Sequence, residues 1–313
     1  MKKPLIILTG PTAVGKTKLS IALAKAVNGE IISADSMQVY KYMDIGTAKI
    51  MPEEMDGVPH HLVDVLSPEE DFNIVLFQKM AKKAMEEIYA KGKIPILVGG
   101  TGFYIQAVLY DIDFTESEED SEYREQLWEI ARKEGEEVLH NMLRECDPKA
   151  AEEIHQNNVK RVIRALEFYK STGTRISEHN EEQRQKEAPY NFLYLVLNQD
   201  RAVLYDRIEK RIDIMVEQGL IEEVQKLKGM GCHRDMVSMK GLGYKEILAY
   251  LEGETTLEEA IDILKRDTRR FAKRQLTWFR REKEPVWIDK GHYESEEQIL
   301  NDILALLKER NII

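Results

Sequence analysis

The sequence predicts an α/β fold: a parallel β-sheet flanked by helices, interrupted by a helical insertion. Two observations carry this expectation. Short apolar runs alternate with longer helical patterns up to residue 110, and a strand-like run reappears after residue 190. Such alternation is the mark of strand–helix–strand units in a parallel sheet. Residues 111–190 instead carry polar helical segments and almost no strand signal. The expected division is a core of residues 1–110 and 191–313 with an insertion domain of residues 111–190.

The elements follow in order. Residues 5–8 are an apolar run closed by Thr9-Gly10-Pro11, which suits a buried strand. Residues 16–27 read as a helix ended by Asn28-Gly29, and residues 30–34 as a second strand. A helix over 77–90 stops before Gly92; a strand over 94–98 is closed by Gly99-Gly100, and a helix over 101–110 follows. The insertion opens on an acidic run at 116–125, contains a helix over 157–170 stopped near Gly173, and exits at Glu187-Ala188-Pro189. Residues 192–197 return to strand character. The rest is mostly helical, with a last short strand at 286–288.

Composition limits the function classes. The chain has 45 Lys+Arg against 56 Asp+Glu, a net charge of -11, which excludes a uniformly basic nucleic-acid binder but not a locally basic one. With 43% apolar residues it can build a core and is not expected to be disordered. Two cysteines, Cys146 and Cys232, support neither a disulfide framework nor a Cys-rich zinc site and fit a reducing compartment. The start MKKPLIILTG imitates a secretory signal but runs into Gly10-Pro11 without a cleavage region. No run approaches the ~18 apolar residues that span a bilayer. A cytoplasmic protein with no membrane partner, acting as a monomer, is expected.

Gly10-Pro11-Thr12-Ala13-Val14-Gly15-Lys16-Thr17 matches G-x-x-x-x-G-K-[ST] in full, with a strand before and a helix after. Glycines let the backbone curl so that N–H groups face an anion, and the helix N-terminus adds partial positive charge. Lys16 can reach a terminal phosphate and the Thr17 hydroxyl can hold Mg²⁺. This makes the sheet P-loop NTPase-like. The loop reads a di- or polyphosphate, of which ATP is the commonest. A nucleoside triphosphatase usually completes its metal site with an Asp at a strand end; the strand over 94–98 ends in Gly-Gly-Thr-Gly instead, which weighs against an ordinary ATPase.

Three further clusters stand out. Asp35-Ser36-Met37-Gln38 follows the second strand, where strand C-termini gather over the phosphate loop. Asp35 there can bind Mg²⁺ through water or accept a proton; equally, it can be a turn or cap residue. Gly99-Gly100-Thr101-Gly102 follows the third strand; its glycines suit close approach of a ligand or an ordinary turn. Arg207 and Arg211 share one helix face and could clamp a leaving diphosphate, or pair with Asp206, Glu209 and Asp213 in solvent. Finally, residues 265–283 hold nine Lys/Arg and two acids. At about 100° per residue, Arg266, Arg269, Arg270, Lys273, Arg274, Arg280 and Arg281 fall within an arc of about 140°. Leu264, Phe271 and Trp278 recur on the opposite side as an expected buried seam. A basic face on an acidic protein favours a polyanion such as RNA. Lys160, Arg161 and Arg164 make a smaller basic group.

Taken in order, GPTAVGKT, DSMQVY, GGTGFY, DPKAAEEIHQNNVKRVIRALE, RIEKRIDIMVEQGLIEEV, KGLGYKE and KRQLTWFR resemble the tRNA dimethylallyltransferase family over almost the whole chain. The resemblance implies transfer of a dimethylallyl group from dimethylallyl diphosphate to the exocyclic amine of the adenosine 3′ of the anticodon, with Mg²⁺. Gly10, Pro11, Thr12, Ala13, Val14, Gly15, Lys16 and Thr17 would then cradle that diphosphate. Asp35 would receive the amine's proton, and Thr101 and Arg207 would stabilise the leaving pyrophosphate, with Arg207 favoured over Arg211. Asp35, Ser36, Met37 and Gln38, with Thr101, would meet the flipped base. Arg124, Val159, Lys160, Arg161, Val162 and Ile163 of the insertion, and Arg269, Arg270 and Lys273 of the basic helix, would meet the tRNA anticodon stem-loop. The Cys/His zinc finger that some eukaryotic relatives carry near the C-terminus does not occur here, which points to the bacterial type. The alternatives are an ATP-dependent small-molecule kinase, a prenyltransferase acting on free adenine nucleotides, and a non-catalytic RNA-binding protein.

Overall fold

Six parallel strands form one sheet in the computed structural model, which describes residues 2–114 and 121–313. Residues 116–120 of the acidic run lie outside the described residues. The strands are β1 (Lys3–Thr9), β2 (Gly29–Ser33), β3 (His60–His61), β4 (Ile94–Gly99), β5 (Tyr190–Asn198) and β6 (Val286–Asp289), in the order β3-β2-β4-β1-β5-β6. β1 is central: Ile6 sits between Ile96 of β4 and Leu193 of β5. Leu5 to Leu8 are all fully buried, because helices cover both faces of a parallel sheet. A continuous apolar run, rather than an alternating one, is the sequence form of that burial. β3 was not expected; two histidines carry no strand signal, and the strand exists through its pairing with Ile31 and Ile32.

The chain divides into two compact units, residues 1–109 with 189–313 and residues 110–188. In the first, α1 (Lys16–Ala26), α2 (Ile74–Ala90) and α3 (Gly102–Leu109) alternate with the early strands. α2 starts three residues before its expected onset because the Asn73 side chain caps it, accepting from the Leu76 amide at 2.9 Å. The second unit is helical: α4 (Ser121–Lys133), α5 (Glu136–Cys146), α6 (Pro148–Glu153), α7 (Val159–Thr172) and α8 (Ile176–Gln185). Its own core gathers Leu127, Leu139, Leu143, Val162, Ile163 and Leu166. The chain returns to the first unit with α9 (Arg201–Glu217), α10 (Leu220–Gly229), α11 (Tyr244–Leu251), α12 (Leu257–Phe279) and α13 (Glu296–Glu309). No helix of the described residues is long and apolar enough to cross a membrane. Both cysteines are free thiols.

α12 corrects one expectation. Its fully buried face is Ala260, Leu264, Ala272, Gln275 and Phe279 rather than Leu264, Phe271 and Trp278. A seven-residue spacing drifts about 20° per repeat on a straight helix. Phe271 and Trp278 therefore rotate to the edge of the buried face, and both are only half-buried.

Candidate active site

Four loops converge at the C-terminal ends of β1, β2, β4 and β5, the end of an α/β sheet where ligands bind. After β1 the glycine-rich loop turns through two left-handed glycines, Gly10 at φ 145° and Gly15 at φ 92°. Gly10 has a second constraint, since a Cβ there would meet the Leu197 carbonyl at 2.6 Å. The Lys16 ammonium donates to the Gly10 and Pro11 carbonyls, each at 2.9 Å. Lys16 is only half-buried as a residue, yet its ammonium is desolvated, and that burial draws its pKa down to about 8; Asp35 opposes the shift and Arg211 adds to it. Thr17 stands exposed at the first turn of α1.

After β2, Asp35 serves both readings at once. Its Oδ1 accepts from the Met37 and Gln38 amides at 2.8 and 3.3 Å, a side-chain turn, while the residue lines a cavity of about 450 Å³. Ser36 and Met37 also line it; Gln38 does not. The Gln38 amide is spent on bracing the next loop, donating to the Thr47 and Ala48 carbonyls at 3.3 and 3.2 Å. That loop is pinned by two further charges. Glu223 accepts from the amides of Asp44, Ile45 and Gly46 and from the Tyr244 hydroxyl. Lys49, buried, donates to the Tyr40 carbonyl, Asp44 and Asp64.

After β4 the glycines answer to the protein rather than to a ligand. A Cβ on Gly99 would stand 2.2 Å from the Ala34 carbonyl, and one on Gly102 2.2 Å from Trp278. Thr101, held between them, lines the cavity. After β5, α9 presents Ile208, Arg211, Ile212 and Met215 to the same space. Arg207, favoured from sequence, is not among the cavity walls; Arg211, one turn on, is. Although Arg211 is exposed as a residue, its guanidinium is desolvated, which lowers its pKa, with Asp35 opposing. It remains charged throughout any working pH.

The cavity lining is chemically mixed. Met37, Phe72, Tyr104, Ile212, Leu264 and Phe271 supply apolar surface, and the lining holds four cations, Arg211, Lys240, Lys245 and Arg274, with one carboxylate, Asp35. A chain of net charge -11 thus concentrates cations where the phosphate loop opens, at Thr12. Lys240, Lys245, Gly46 and Thr47 are wall residues to which the sequence reading gives no role; the first two lie in KGLGYKE, a lysine-flanked glycine turn, and the last two in no motif singled out above.

A family model for IPP transferases matches residues 38–282 of the chain. The chain belongs to this family. Among similar proteins, the tRNA dimethylallyltransferase of Lachnoclostridium phytofermentans is 62% identical, over 99% of this chain and 99% of its own length. That of Acetivibrio thermocellus is 53% identical over 95% of each chain. A solved tRNA isopentenylpyrophosphate transferase from Bacillus halodurans, 48% identical, covers 99% of this chain and 98% of its own with a TM-score of 0.75. A eukaryotic dimethylallyltransferase solved acting on tRNA is 32% identical, covering 97% of this chain and 80% of its own with a TM-score of 0.84.

In this IPP transferase, the residues expected to meet nucleic acid differ in availability. Val162 and Ile163 are buried in the core of the helical unit, because positions 162, 163 and 166 form the inward stripe of α7; only Lys160 and Arg161 of that stretch are exposed. Val159 packs against the same core. Arg124 makes a two-point ion pair with Glu167, at 2.7 and 3.1 Å. On α12, Arg269 pairs with Glu209 at 2.5 Å and Arg270 with Asp267 at 3.3 Å, while Lys273 and Arg274 are exposed. Arg280 and Arg281, just past the end of α12, are exposed as well.

Proposed function

We propose that this IPP transferase moves a dimethylallyl group from dimethylallyl diphosphate to the N6 amine of the adenosine next to the 3′ side of the anticodon in tRNA, releasing pyrophosphate. The observation that carries this reading is the mixed lining of the cavity, in which apolar side chains stand together with four cations beside Thr12 of the glycine-rich loop. Such a site suits an amphiphile with a five-carbon apolar end and a diphosphate head better than a polar nucleotide.

In the reaction the allylic C1–O bond breaks as the C1–N6 bond forms. Negative charge grows on the departing diphosphate. The loop amides, Lys16, Arg211 and the Thr101 hydroxyl neutralise it from fixed positions, the largest single contribution a preorganised site makes. Asp35, its carboxylate anchored by two amides, takes the proton that N6 loses. The apolar side chains of the lining shield the allylic carbon from water. The Thr17 hydroxyl suits Mg²⁺, an ion that keeps several waters and binds through few protein ligands plus phosphate oxygens; when bound it would neutralise part of the charge on the leaving group. The exposed Lys273 and Arg274 on α12 would hold the anticodon stem-loop through its phosphates, and the base would enter unstacked; on the helical unit the exposed Lys160 and Arg161 offer cations for tRNA phosphates, as would Arg124 on releasing Glu167.

The test is incubation with dimethylallyl diphosphate, Mg²⁺ and unmodified tRNA carrying that adenosine. Prenylated adenosine is expected, and none from a tRNA with another base there. ATP should compete poorly for the loop; strong ATP hydrolysis without prenyl transfer would favour a kinase.

A further inference from the structure

Gln275 sits on α12 beside the exposed Lys273 and Arg274, yet it is only 6% exposed itself. Its amide makes two hydrogen bonds of opposite sense. Oε1 accepts from the Thr12 amide at 2.9 Å, and Nε2 donates to the Gly100 carbonyl at 3.0 Å. Thr12 belongs to the phosphate loop after β1 and Gly100 to the loop after β4. One side chain from a third element therefore joins two loops that both line the cavity, through Thr12 and Thr101.

The arrangement has a single orientation. A half-turn of the amide would set oxygen against the Gly100 carbonyl and N–H against the Thr12 amide, two repulsive pairings. There is no slack either: a Cβ on Gly100 would stand 2.2 Å from Nε2. The absence of a side chain at Gly100 is thus explained by Gln275. Both bonds are at least partly withdrawn from water, where an unmet donor or acceptor is costly. At the base of the same two loops the Thr9 hydroxyl donates to the Gly99 carbonyl at 2.6 Å; Gln275 makes the joint further out, from a helix that also carries the basic face.

We propose that Gln275 is a positioning residue that holds the phosphate loop and the 99–102 loop in the register that grips the diphosphate. This rests on the cavity's reading as a diphosphate site. The test compares wild type with Gln275→Leu, which keeps the bulk and loses both bonds, and Gln275→Glu, which keeps the acceptor for Thr12 but turns a carboxylate oxygen toward the Gly100 carbonyl. Steady-state constants are measured for each substrate, with pyrophosphate affinity by calorimetry and melting temperature alongside. For Gln275→Leu, KM for dimethylallyl diphosphate and the pyrophosphate dissociation constant should rise about tenfold or more, while KM for tRNA stays within about threefold. Gln275→Glu should fall between.

Equal rises in both KM values, or a change in neither, would overturn the proposal, since a loss of general structure spares no substrate. If Gln275→Leu lacks a cooperative melt, Gln275→Glu decides alone, and wild-type behaviour there refutes it. If wild type shows no prenyl transfer, the functional reading fails separately. Pyrophosphate binding still decides the positioning role: equal affinity in wild type and variant, or none in either, rejects it.

Discussion

The Lys16 ammonium offers a quantitative handle on the phosphate loop. Burial lowers its pKa from 10.5 to about 8. At about 1.36 kcal/mol per pKa unit, that shift costs the folded chain about 3 kcal/mol whenever the lysine is charged. The folded pKa lies below the unfolded one. The penalty is therefore complete below pH 8 and fades as pH rises from 8 toward 10.5, so this group makes stability increase with pH across that window. A diphosphate reverses the balance, because it supplies the negative charge that the desolvated ammonium lacks. Binding must then return the proton, and affinity falls once the free enzyme has lost it. From pH 7 to 9.5 the protonated fraction drops about thirtyfold, and the pyrophosphate dissociation constant should rise by about the same factor. The assay is calorimetric titration with pyrophosphate in wild type and Lys16→Arg, whose guanidinium does not titrate. The ligand's own ionisation is common to both, so the ratio of the two dissociation constants isolates Lys16. A ratio that stays constant from pH 7 to 9.5 would refute the reasoning.

Further outcomes follow from the same geometry. Asp35→Asn keeps the Oδ1 acceptor for the Met37 and Gln38 amides but cannot take a proton; kcat should fall about 100-fold or more with tRNA affinity within about threefold, and equal loss of both would make Asp35 a binding residue only. Arg211→Gln should lower kcat about 100-fold, at least ten times the effect of Arg207→Gln, and the reverse order in single-turnover rates would return the leaving-group role to Arg207. Reversing Lys273 and Arg274 to Glu should weaken tRNA binding and reduce the slope of log affinity against log salt by about one to two, read from filter binding at several salt concentrations. Glu30, 1% exposed, accepts from Lys93, His61 and Lys91; burial alone would raise its pKa, but these hydrogen bonds outweigh it and hold it at about 2. Because its folded pKa lies below the unfolded one, its stabilising effect is present above about pH 4.5 and lost as pH falls toward 2. Glu30→Gln should thus cost about 2 kcal/mol at pH 7, discounted because Lys91 is half exposed, with the gap to wild type closing in acid denaturation curves.

Much of the fold, and several residues that line the cavity, were legible residue by residue. The phosphate loop announced itself because its chemistry is local: eight consecutive residues set both backbone curl and charge. Asp35 and Thr101 could be placed because strands in a parallel sheet deliver their C-terminal loops to one end. The sequence favours Arg207 over Arg211, four residues apart on one helix face, whereas of the two only Arg211 lines the cavity, a difference that no helix periodicity encodes. Gln38 looked like its neighbours until the 44–48 loop folded over it. Val162 and Ile163 belonged to a basic-looking stretch but face the core of their own unit, as an amphipathic helix requires.

The sequence by itself determined the class of sheet, the glycine-rich loop between strand and helix and the existence of a basic helix, because each depends on contacts among near neighbours or on periodicity along one element. Only the tertiary structure decided which cations reach the cavity, which glycines are packed against protein, and that a glutamine 263 residues from Thr12 would join two loops. Those features depend on distances between segments remote in the chain, and such distances are fixed by packing, which no local pattern encodes.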